Sequence, residues 1–205
     1  MPETKITSYR GGKVAYVFQD PLTTLHPLFT IGDQVAEAIR VHQPVSQTEA
    51  RAKAVELFKA VRLPDPEQRS SAYPHELSGG QRQRVGIAMA LANDPDIIIA
   101  DEPTTALDVT VQAEILRLLQ VLREERGLAL LFITHDFGVV AQICDKVAVM
   151  RYGKIVEAGA TSEVLRNPQH DYTKRLIACV PKPGQGRAFL EGVRALLDRE
   201  ARGRA

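Results

Sequence analysis

The sequence predicts an α/β fold in which helices flank a largely parallel β-sheet. Two strand-like segments are almost wholly apolar, DIIIAD at 96–101 and LALLFIT at 128–134. Apolar strands of this kind are typical of parallel sheets, in which helices cover both faces. The segment between them, Thr110–Arg126, has isoleucine and leucine on one helical face and Gly127 as its stop. This alternation of strands and helices predicts the α/β class.

The elements before the first apolar strand follow from local patterns. Lys13–Phe18 (KVAYVF) is predicted to be a short strand, and a polar loop with prolines follows it. Residues 31–39 and 46–61 repeat apolar residues at helical spacing. Ser46 and Glu49, three residues apart at the start of the second helix, predict a capping box.

The remaining elements complete the alternation. A proline-rich loop at 63–76 precedes a helix that is predicted to run from Ser78 to about Ala92. Residues 137–144 are predicted to form a short helix, and KVAVMRYGKIVEAG to form a hairpin that turns at Tyr152–Gly153. After Pro181 the composition changes to a linker and then to a charged amphipathic tail.

Composition narrows the classes of function. A net charge of +1 lacks the basic excess of a general nucleic-acid binder, so nucleic acid is not an expected partner. The two cysteines, Cys144 and Cys179, have no metal-ligand spacing and form no framework, which favours a reducing compartment. No apolar run reaches the ~18–20 residues of a membrane span, and the first residues are not expected to be a signal peptide.

Polar side chains suited to phosphate and magnesium chemistry follow the predicted strands. Gln19 follows the first, Asp101 and Glu102 end the second, and His135 follows the third. In open α/β sheets, ligands bind at the carboxyl ends of the strands. Such an aspartate can hold Mg²⁺ through its waters, and the adjacent glutamate can take a proton from an attacking water. Taken alone, Gln19 is more often a solvated loop residue and His135 a structural histidine. The apolar strand before Asp101 and Glu102, in contrast, favours a functional acid pair over a helix-capping pair.

The stretch LSGGQ at 77–81 predicts a site for an anion. Ser78 is a good N-cap, and the first N–H groups of a helix are open to an anion. Gly79 and Gly80 cost stability inside a helix, so their presence suggests that some group approaches the backbone closely. Asp108 is interpreted either as the N-cap of the helix that begins near Val109 or as a functional residue.

Five motifs in this order and at this spacing resemble the nucleotide-binding subunits of ABC transporters. They are VFQDP, LSGGQ, IIIADEP, ALD and THD, and the similarity covers residues from about 11 to 181. The resemblance implies an ABC-type P-loop NTPase fold that lacks its N-terminal strands and its Walker A loop. It also implies a partial ATPase domain at 1–181 with a helical subdomain at about 30–92, followed by the linker and tail at 182–205.

The resemblance implies a role for each matching residue. Gln19 corresponds to the Q-loop glutamine, Asp101 to the Walker-B aspartate and Glu102 to the catalytic glutamate. His135 corresponds to the switch histidine and Asp108 to the D-loop aspartate. The signature motif, which contacts the γ-phosphate of ATP held by an opposing subunit, is matched by Ser78, Gly79, Gly80 and Gln81. Catalysis is thus expected from Glu102, His135 and Gln19, and Mg²⁺ coordination from Asp101 and Gln19.

The wording of several segments resembles one branch of that family, the oligopeptide, dipeptide and nickel importers. NPQHDYTKRLIACVP is similar to its C-terminal pattern, except that Asp171 replaces a proline. The implied ligands are ATP and Mg²⁺. The implied partners are a second ABC ATPase subunit, identical or different, membrane permease subunits and, indirectly, an extracytoplasmic substrate-binding protein. The implied location is peripheral, on the cytoplasmic face of a bacterial inner membrane.

The phosphate loop G-x-x-x-x-G-K-[ST] does not occur in the 205 residues. Without it the β- and γ-phosphates have no cradle, so the chain is not expected to bind ATP alone. A fragment or mis-started reading frame of a full ATPase is favoured, since the downstream hydrolytic residues are present. A genuinely truncated protein is the alternative.

Two other functions remain open at this stage. One is a non-transport ABC ATPase, such as a subunit of a soluble phosphonate-processing complex. The other is a non-catalytic interaction module. The amphipathic tail is expected to dock on the domain itself, although a membrane contact or a linker to a second ATPase half is also consistent with its pattern: Phe189, Leu190, Val193, Leu196 and Leu197.

Overall fold

The computed structural model describes residue 6 and residues 9–180, with the backbone alone for residues 21 and 22. The predicted linker and tail at 182–205 lie outside the described residues. The chain divides into two compact units, residues 1–135 and residues 136–205. The predicted site residues all fall in the first unit.

A three-stranded parallel sheet forms the centre of the first unit. Its strands are β1 (Val14–Val17), β2 (Ile97–Asp101) and β3 (Ala129–Ile133), with β2 in the middle. Both neighbouring pairs are parallel, as the sequence predicts. Because the strands are parallel, their carboxyl ends lie at one edge of the sheet.

Helices make up much of the rest of the first unit. In the first unit they are α1 (Pro21–Thr24), α2 (Ile31–Arg40), α3 (Gln47–Ala60), α4 (Pro66–Arg69), α5 (Gly79–Leu91) and α6 (Val109–Arg126). A short 3-10 turn, Pro74–Glu76, precedes α5. Helices α2, α3 and α5 contact one another around fully buried Ile39, Phe58 and Ile87. All three helices lie within residues 30–92.

Local signals place the helix ends. Ser46 Oγ accepts a hydrogen bond from the N–H of Glu49 at 3.2 Å, and Glu49 Oε2 accepts one from the N–H of Ser46 at 2.8 Å. This reciprocal pair is the predicted capping box. Helix α6 ends at Gly127, which has a φ of 62° and so takes the left-handed conformation of a C-terminal stop.

The two faces of the sheet differ. One face is buried and carries Ala15, Val17, Ile98 and Ala100. The other face leaves Tyr16, Ile97, Leu131 and Ile133 between 39% and 55% exposed. The expectation that both faces are covered is therefore wrong for the residues that the structure describes. Side chains alternate between faces along a strand, so cover on one side buries only every second residue.

The second unit contains a two-stranded sheet and short helices. In its described part the elements are α7 (Phe137–Ile143), β4 (Lys146–Arg151), β5 (Lys154–Ala160), α8 (Thr161–Arg166) and α9 (Asp171–Ala178). Strands β4 and β5 form the predicted antiparallel hairpin. Tyr152 and Gly153 both have positive φ, 50° and 75°, as the tight turn of a two-residue hairpin requires.

The segment NPQHDYT follows α8, forms the first turn of α9 and is hydrogen-bonded to the hairpin. Glu157 of β5 accepts the backbone N–H groups of Gln169 at 2.8 Å and His170 at 3.1 Å. The bond from Gln169 is the largest influence that holds the pKa of Glu157 below its ordinary value. His170 caps α9 by accepting the N–H of Tyr172. Asp171 is the first helical residue, a position that suits both an acid and a proline.

Within the described ranges, none of the helices is both long enough and apolar enough to cross a membrane.

Candidate functional site

The predicted strand-end residues meet at the carboxyl edge of the sheet. Gln19 lies two residues beyond β1, Glu102 directly follows β2, and His135 lies two residues beyond β3. The register pairs Val17 with Ala100 and Asp101 with Ile133, which brings the three loops side by side.

Glu102 is the centre of this group. Its Oε1 lies 2.8 Å from His135 Nδ1. Its Oε2 accepts the amide of Gln19 at 2.9 Å and the hydroxyl of Thr105 at 2.9 Å. One donor thus comes from each of the three strand-end loops, and together they fix the orientation of the carboxylate.

These contacts also set the charge of Glu102. The hydrogen bond from His135 is the largest influence that holds the pKa of Glu102 below its ordinary value, and the hydroxyl of Thr105 acts in the same direction. Partial burial opposes them by penalising the charged form. Glu102 is therefore ionised at neutral pH and can only accept hydrogen bonds.

This arrangement fixes the tautomer of His135. An ionised carboxylate only accepts, so the proton of that contact lies on Nδ1 of the ring. In the neutral ring Nε2 then accepts a hydrogen bond, for example from water. Contact with a phosphate oxygen, which also only accepts, requires the protonated ring. The side chain is 71% exposed and can reach such a ligand.

The backbone at Glu102 is strained. Its φ of 44° lies in the left-handed region, which non-glycine residues rarely enter. The N–H of Glu102 donates to the carbonyl of Ile133 at 2.9 Å, and the N–H of Thr105 donates to the carbonyl of Glu102 at 3.2 Å. These bonds hold the turn. Strain of this kind is concentrated at functional sites.

Asp101 has a partner that sequence reasoning missed. Tyr16 OH donates to Asp101 Oδ2 at 2.6 Å, and this bond is the main reason that the pKa of Tyr16 is raised. The second oxygen of Asp101 and the amide oxygen of Gln19 are suited to Mg²⁺ or to its waters. No group of three His, Cys, Asp or Glu converges on a metal position anywhere in the described part of the chain. One carboxylate nevertheless fits Mg²⁺, which keeps several waters and also binds substrate phosphates.

A second cluster lies at the start of α5. Ser78 Oγ accepts the N–H of Gln81 at 3.3 Å, and Gln81 Oε1 accepts the N–H of Ser78 at 2.9 Å. This capping box gives the N–H groups of Ser78 and Gln81 an acceptor. The N–H groups of Gly79 and Gly80 have no acceptor inside the helix. Ser78 and Gly79 are exposed, so an anion can approach them.

Asp108 belongs to the same cluster. Its Oδ1 accepts the N–H groups of Thr110 at 3.1 Å and Val111 at 3.0 Å, so Asp108 is the N-cap of α6. An ideal Cβ atom placed on Gly79 would meet Leu107, in the loop before α6. One placed on Gly80 would meet Val111, in the first turn of α6. The starts of α5 and α6 therefore lie against each other.

The structure thus gives two groups of predicted residues. Gln19, Glu102 and His135 come together, with Asp101 beside them on the strand. The signature segment 78–81 comes together with Asp108. Among the described residues no recorded hydrogen bond joins the two groups, although the loop 103–107 connects them along the chain.

Sequence reasoning missed three contributors: Tyr16, Thr105 and Val111. The signal for Tyr16 is its position on the same sheet face as Asp101, since the register pairs it with Ile99. The signal for Thr105 is a hydroxyl three residues after Glu102, at the spacing of a turn. Val111 gives no separate signal because it belongs to the apolar pattern of α6.

Comparison with known proteins identifies the family. A family model described as "ABC transporter" matches residues 2–105, just over half of the chain. The chain belongs to the ABC transporter family. A second family model, described as "Oligopeptide/dipeptide transporter, C-terminal region", matches residues 156–202. Both matches confirm the family and the branch that the motifs predict.

Curated ABC relatives are about half identical to the chain. A probable peptide ABC transporter ATP-binding protein of Sinorhizobium fredii is 51% identical over 91% of this chain and 56% of its own length. A peptidoglycan transport ATP-binding protein of Agrobacterium fabrum is 53% identical over 89% of this chain and 33% of its own length. A glutathione import ATP-binding protein of Escherichia coli is 53% identical over 85% of this chain and 28% of its own length. The chain therefore spans about half the length of these relatives, or less.

Solved ABC structures share the fold. A dimeric post-hydrolysis state of the ATP-binding cassette MJ0796, bound to ADP and phosphate, superposes with a TM-score of 0.68. It is 34% identical and the match covers 78% of this chain and 68% of that chain. CbiO1 of Clostridium perfringens, part of an ABC transporter complex, gives a TM-score of 0.71 at 31% identity. That match covers 81% of this chain and 64% of the CbiO1 chain. The predicted ABC-type α/β fold is confirmed.

Proposed function

We propose that the chain acts as an ATP-binding and ATP-hydrolysing subunit of an ABC importer. The observation that carries the proposal is the Glu102 carboxylate, oriented by Gln19, Thr105 and His135 at the carboxyl edge of the sheet. A carboxylate held in this way can take a proton from a water that attacks the γ-phosphate. Glu102 is then the general base.

The other residues of this edge serve the phosphates and the metal. Asp101 and Gln19 would hold Mg²⁺ through its waters, and the metal would neutralise charge on the phosphates of ATP. His135 would contact the γ-phosphate in its protonated form. The donor set supports this assignment. Asp101 binds Tyr16 through Oδ2 and Gln19 binds Glu102 through Nε2, so Asp101 Oδ1 and Gln19 Oε1 are the oxygens that would face the metal or its waters.

The signature segment serves the nucleotide of another subunit. Ser78, Gly79, Gly80 and Gln81, with Asp108 behind them, would contact the γ-phosphate of ATP in a second ABC ATPase subunit. The start of α5 supports this arrangement, because it presents open N–H groups to a ligand. The solved cassette MJ0796 is itself described as a dimer bound to ADP and phosphate. The chain alone would not hold ATP tightly.

A peptide is the proposed cargo, with nickel as the other class that the sequence pattern leaves open. The match at 156–202 to the oligopeptide/dipeptide C-terminal region supports a peptide importer. So do relatives that are named for peptide, glutathione and peptidoglycan transport. The proposed partners are permease subunits in the membrane and, indirectly, an extracytoplasmic binding protein. The chain would work at the cytoplasmic face of a bacterial inner membrane.

Substitution of Glu102 tests the hydrolytic role. The protein to use is the chain preceded by the phosphate-loop segment of a relative, so that its own site is complete. Glu102→Gln should bind Mg²⁺-ATP normally, while phosphate release falls by roughly 10²–10⁴, the usual contribution of a general base. Glu37→Gln, an exposed glutamate of α2, is the matched control. Wild-type turnover in Glu102→Gln would remove the assignment.

A non-catalytic interaction module, which the sequence leaves open, is the second candidate. ATP turnover, in the extended protein and in a mixture with a partner subunit, separates the two, and an ATP titration by calorimetry tests the shared site. Tight, Mg²⁺-dependent binding to the isolated monomer would contradict the shared-site proposal. Absence of ATP turnover both in the extended protein and with a partner subunit would favour the interaction module.

A further inference from the structure

The two glycines at the start of α5 have different surroundings. An ideal Cβ at Gly80 would lie 2.5 Å from Val111 Cγ1, a distance that side chains do not tolerate. An ideal Cβ at Gly79 would lie 3.4 Å from Leu107 Cδ2, an ordinary contact. Farther along α5, Gly86 has nothing within 4 Å of that position. The group that approaches Gly80 closely is thus a side chain of this same protein.

Val111 cannot move aside easily. It is β-branched, and in a helix such a side chain keeps one strongly preferred rotamer. Its own N–H is bound by Asp108 Oδ1 at 3.0 Å, which fixes the backbone from which the side chain projects. An alanine at position 80 would therefore displace the start of α5 instead of Val111.

We propose that Val111 is a positioning residue. Its side chain fills the space beside the backbone of Gly80 and so sets the place of Ser78 and Gly79 relative to Asp108. Gly80 is then required by packing inside the chain, and the ligand-facing glycine is Gly79, which is exposed. This inference rests on the proposed function, in which the start of α5 contacts the nucleotide of a second subunit.

The test pairs a clash with its relief. The variants are Gly80→Ala, Val111→Ala and the double variant, with Val111→Ile as the conservative replacement and Gly86→Ala as the matched glycine control. Each is mixed with a full-length ABC ATPase subunit that has a phosphate loop but arginine at its own signature serine. The helper then depends on the chain for its signature contact, and ATP turnover is measured against chain concentration.

Gly80→Ala should lower the stimulated turnover by about tenfold. That factor corresponds to about 1.4 kcal/mol of free energy lost when the start of α5 is displaced. The added Val111→Ala should restore turnover to within about threefold of wild type, because alanine has no Cγ to clash. Val111→Ile and Gly86→Ala should match the wild-type chain. Val111→Ala alone should lower the maximal rate, since the start of α5 loses its contact.

A second readout uses the chain alone. Amide NMR shifts of Gly79 and Gln81, and the urea midpoint, should change in Gly80→Ala and return towards wild type in the double variant. If the midpoint returns but turnover does not, Gly80 is needed by the ligand and the inference is overturned. If even the wild-type chain gives no stimulation, the proposed function fails, while the amide shifts still decide whether Val111 positions this helix start.

Discussion

Among single residues, Glu102 is the group on which the site converges. Each of the three strand-end loops contributes one donor to its carboxylate: Gln19, Thr105 and His135. A carboxylate bound at both oxygens is held in one orientation and stays charged. Its positive φ adds backbone strain that the surrounding hydrogen bonds offset.

Replacement of His135 should change the titration of Glu102. Since His135 is the largest influence that lowers the pKa of Glu102, His135→Ala should raise that pKa towards its ordinary value of 4.5. A lowered pKa in the folded chain stabilises the fold above that ordinary value, and the contribution is lost as the pH falls through the folded value. The variant should therefore lose less stability on acidification.

Carboxyl carbon NMR measures the pKa of Glu102, and urea unfolding over the acid range measures the stability. Thr105→Val should raise the pKa less than His135→Ala does, since its hydrogen bond is the second influence. His75→Ala, at an exposed histidine away from the cluster, is the control. An unchanged pKa of Glu102 in His135→Ala would show that the two side chains do not interact in solution.

The residue types at the strand ends could be predicted from the sequence, but their partners could not. Asp101, Glu102 and His135 stand out because polar residues follow apolar strands. The hydroxyls of Tyr16 and Thr105 look ordinary in the sequence, because their roles depend on strand register and on a left-handed turn at Glu102. Val111 is the same case: only the approach of α5 gives it a role.

At the level of elements, α5 contains one residue that stabilises the helix and one that destabilises it. Ser78 caps its start, while Gly86 lies in its interior with open space at the Cβ position. Ser78→Ala should destabilise the chain by about 1 kcal/mol, and Gly86→Ala should stabilise it by up to about 1 kcal/mol. Urea denaturation measures both.

Ser46→Ala, which removes the corresponding cap of α3, is the reference for Ser78→Ala. The two serines make the same reciprocal hydrogen bonds, so their free-energy costs should be similar. A Ser78→Ala cost near zero would mean that the capping box at the start of α5 does not persist in solution.

Truncation of an apolar side chain to alanine should lower the free energy of unfolding by different amounts on the two faces of the sheet. Ile98 is 1% exposed on the covered face, so Ile98→Ala should cost about 2–5 kcal/mol of unfolding free energy. Leu131 is 55% exposed on the other face, so Leu131→Ala should cost less than about 1 kcal/mol. Equal costs, measured by urea denaturation, would show that the exposed face is covered in solution.

Sequence patterns predicted the elements better than their surroundings. The parallel strands, the capping box at Ser46, the Gly127 stop and the hairpin turn at Tyr152–Gly153 are all confirmed. The prediction that both faces of the sheet are covered is wrong, because an apolar strand does not reveal which neighbours lie on each face. Burial is a property of the packed unit.

At the scale of the whole chain, the 205 residues combine the proposed hydrolytic residues with a signature helix, and the phosphate-loop motif does not occur among them. It belongs to the ABC transporter family and spans about half the length, or less, of the curated relatives described above. On the proposed account, its α5 start completes a nucleotide site whose phosphate loop lies in another subunit. The account therefore concerns a pair of chains.

The most direct measurement is ATP turnover by a mixture of this chain with a helper subunit that has a phosphate loop and a disabled signature serine. The account predicts turnover that rises with the concentration of the chain and saturates at equal amounts of the two proteins. Ser78→Arg in the chain should abolish the rise, and Gly86→Ala should preserve it. Turnover that stays at the level of the helper alone, with both proteins folded and associated, would contradict the shared site.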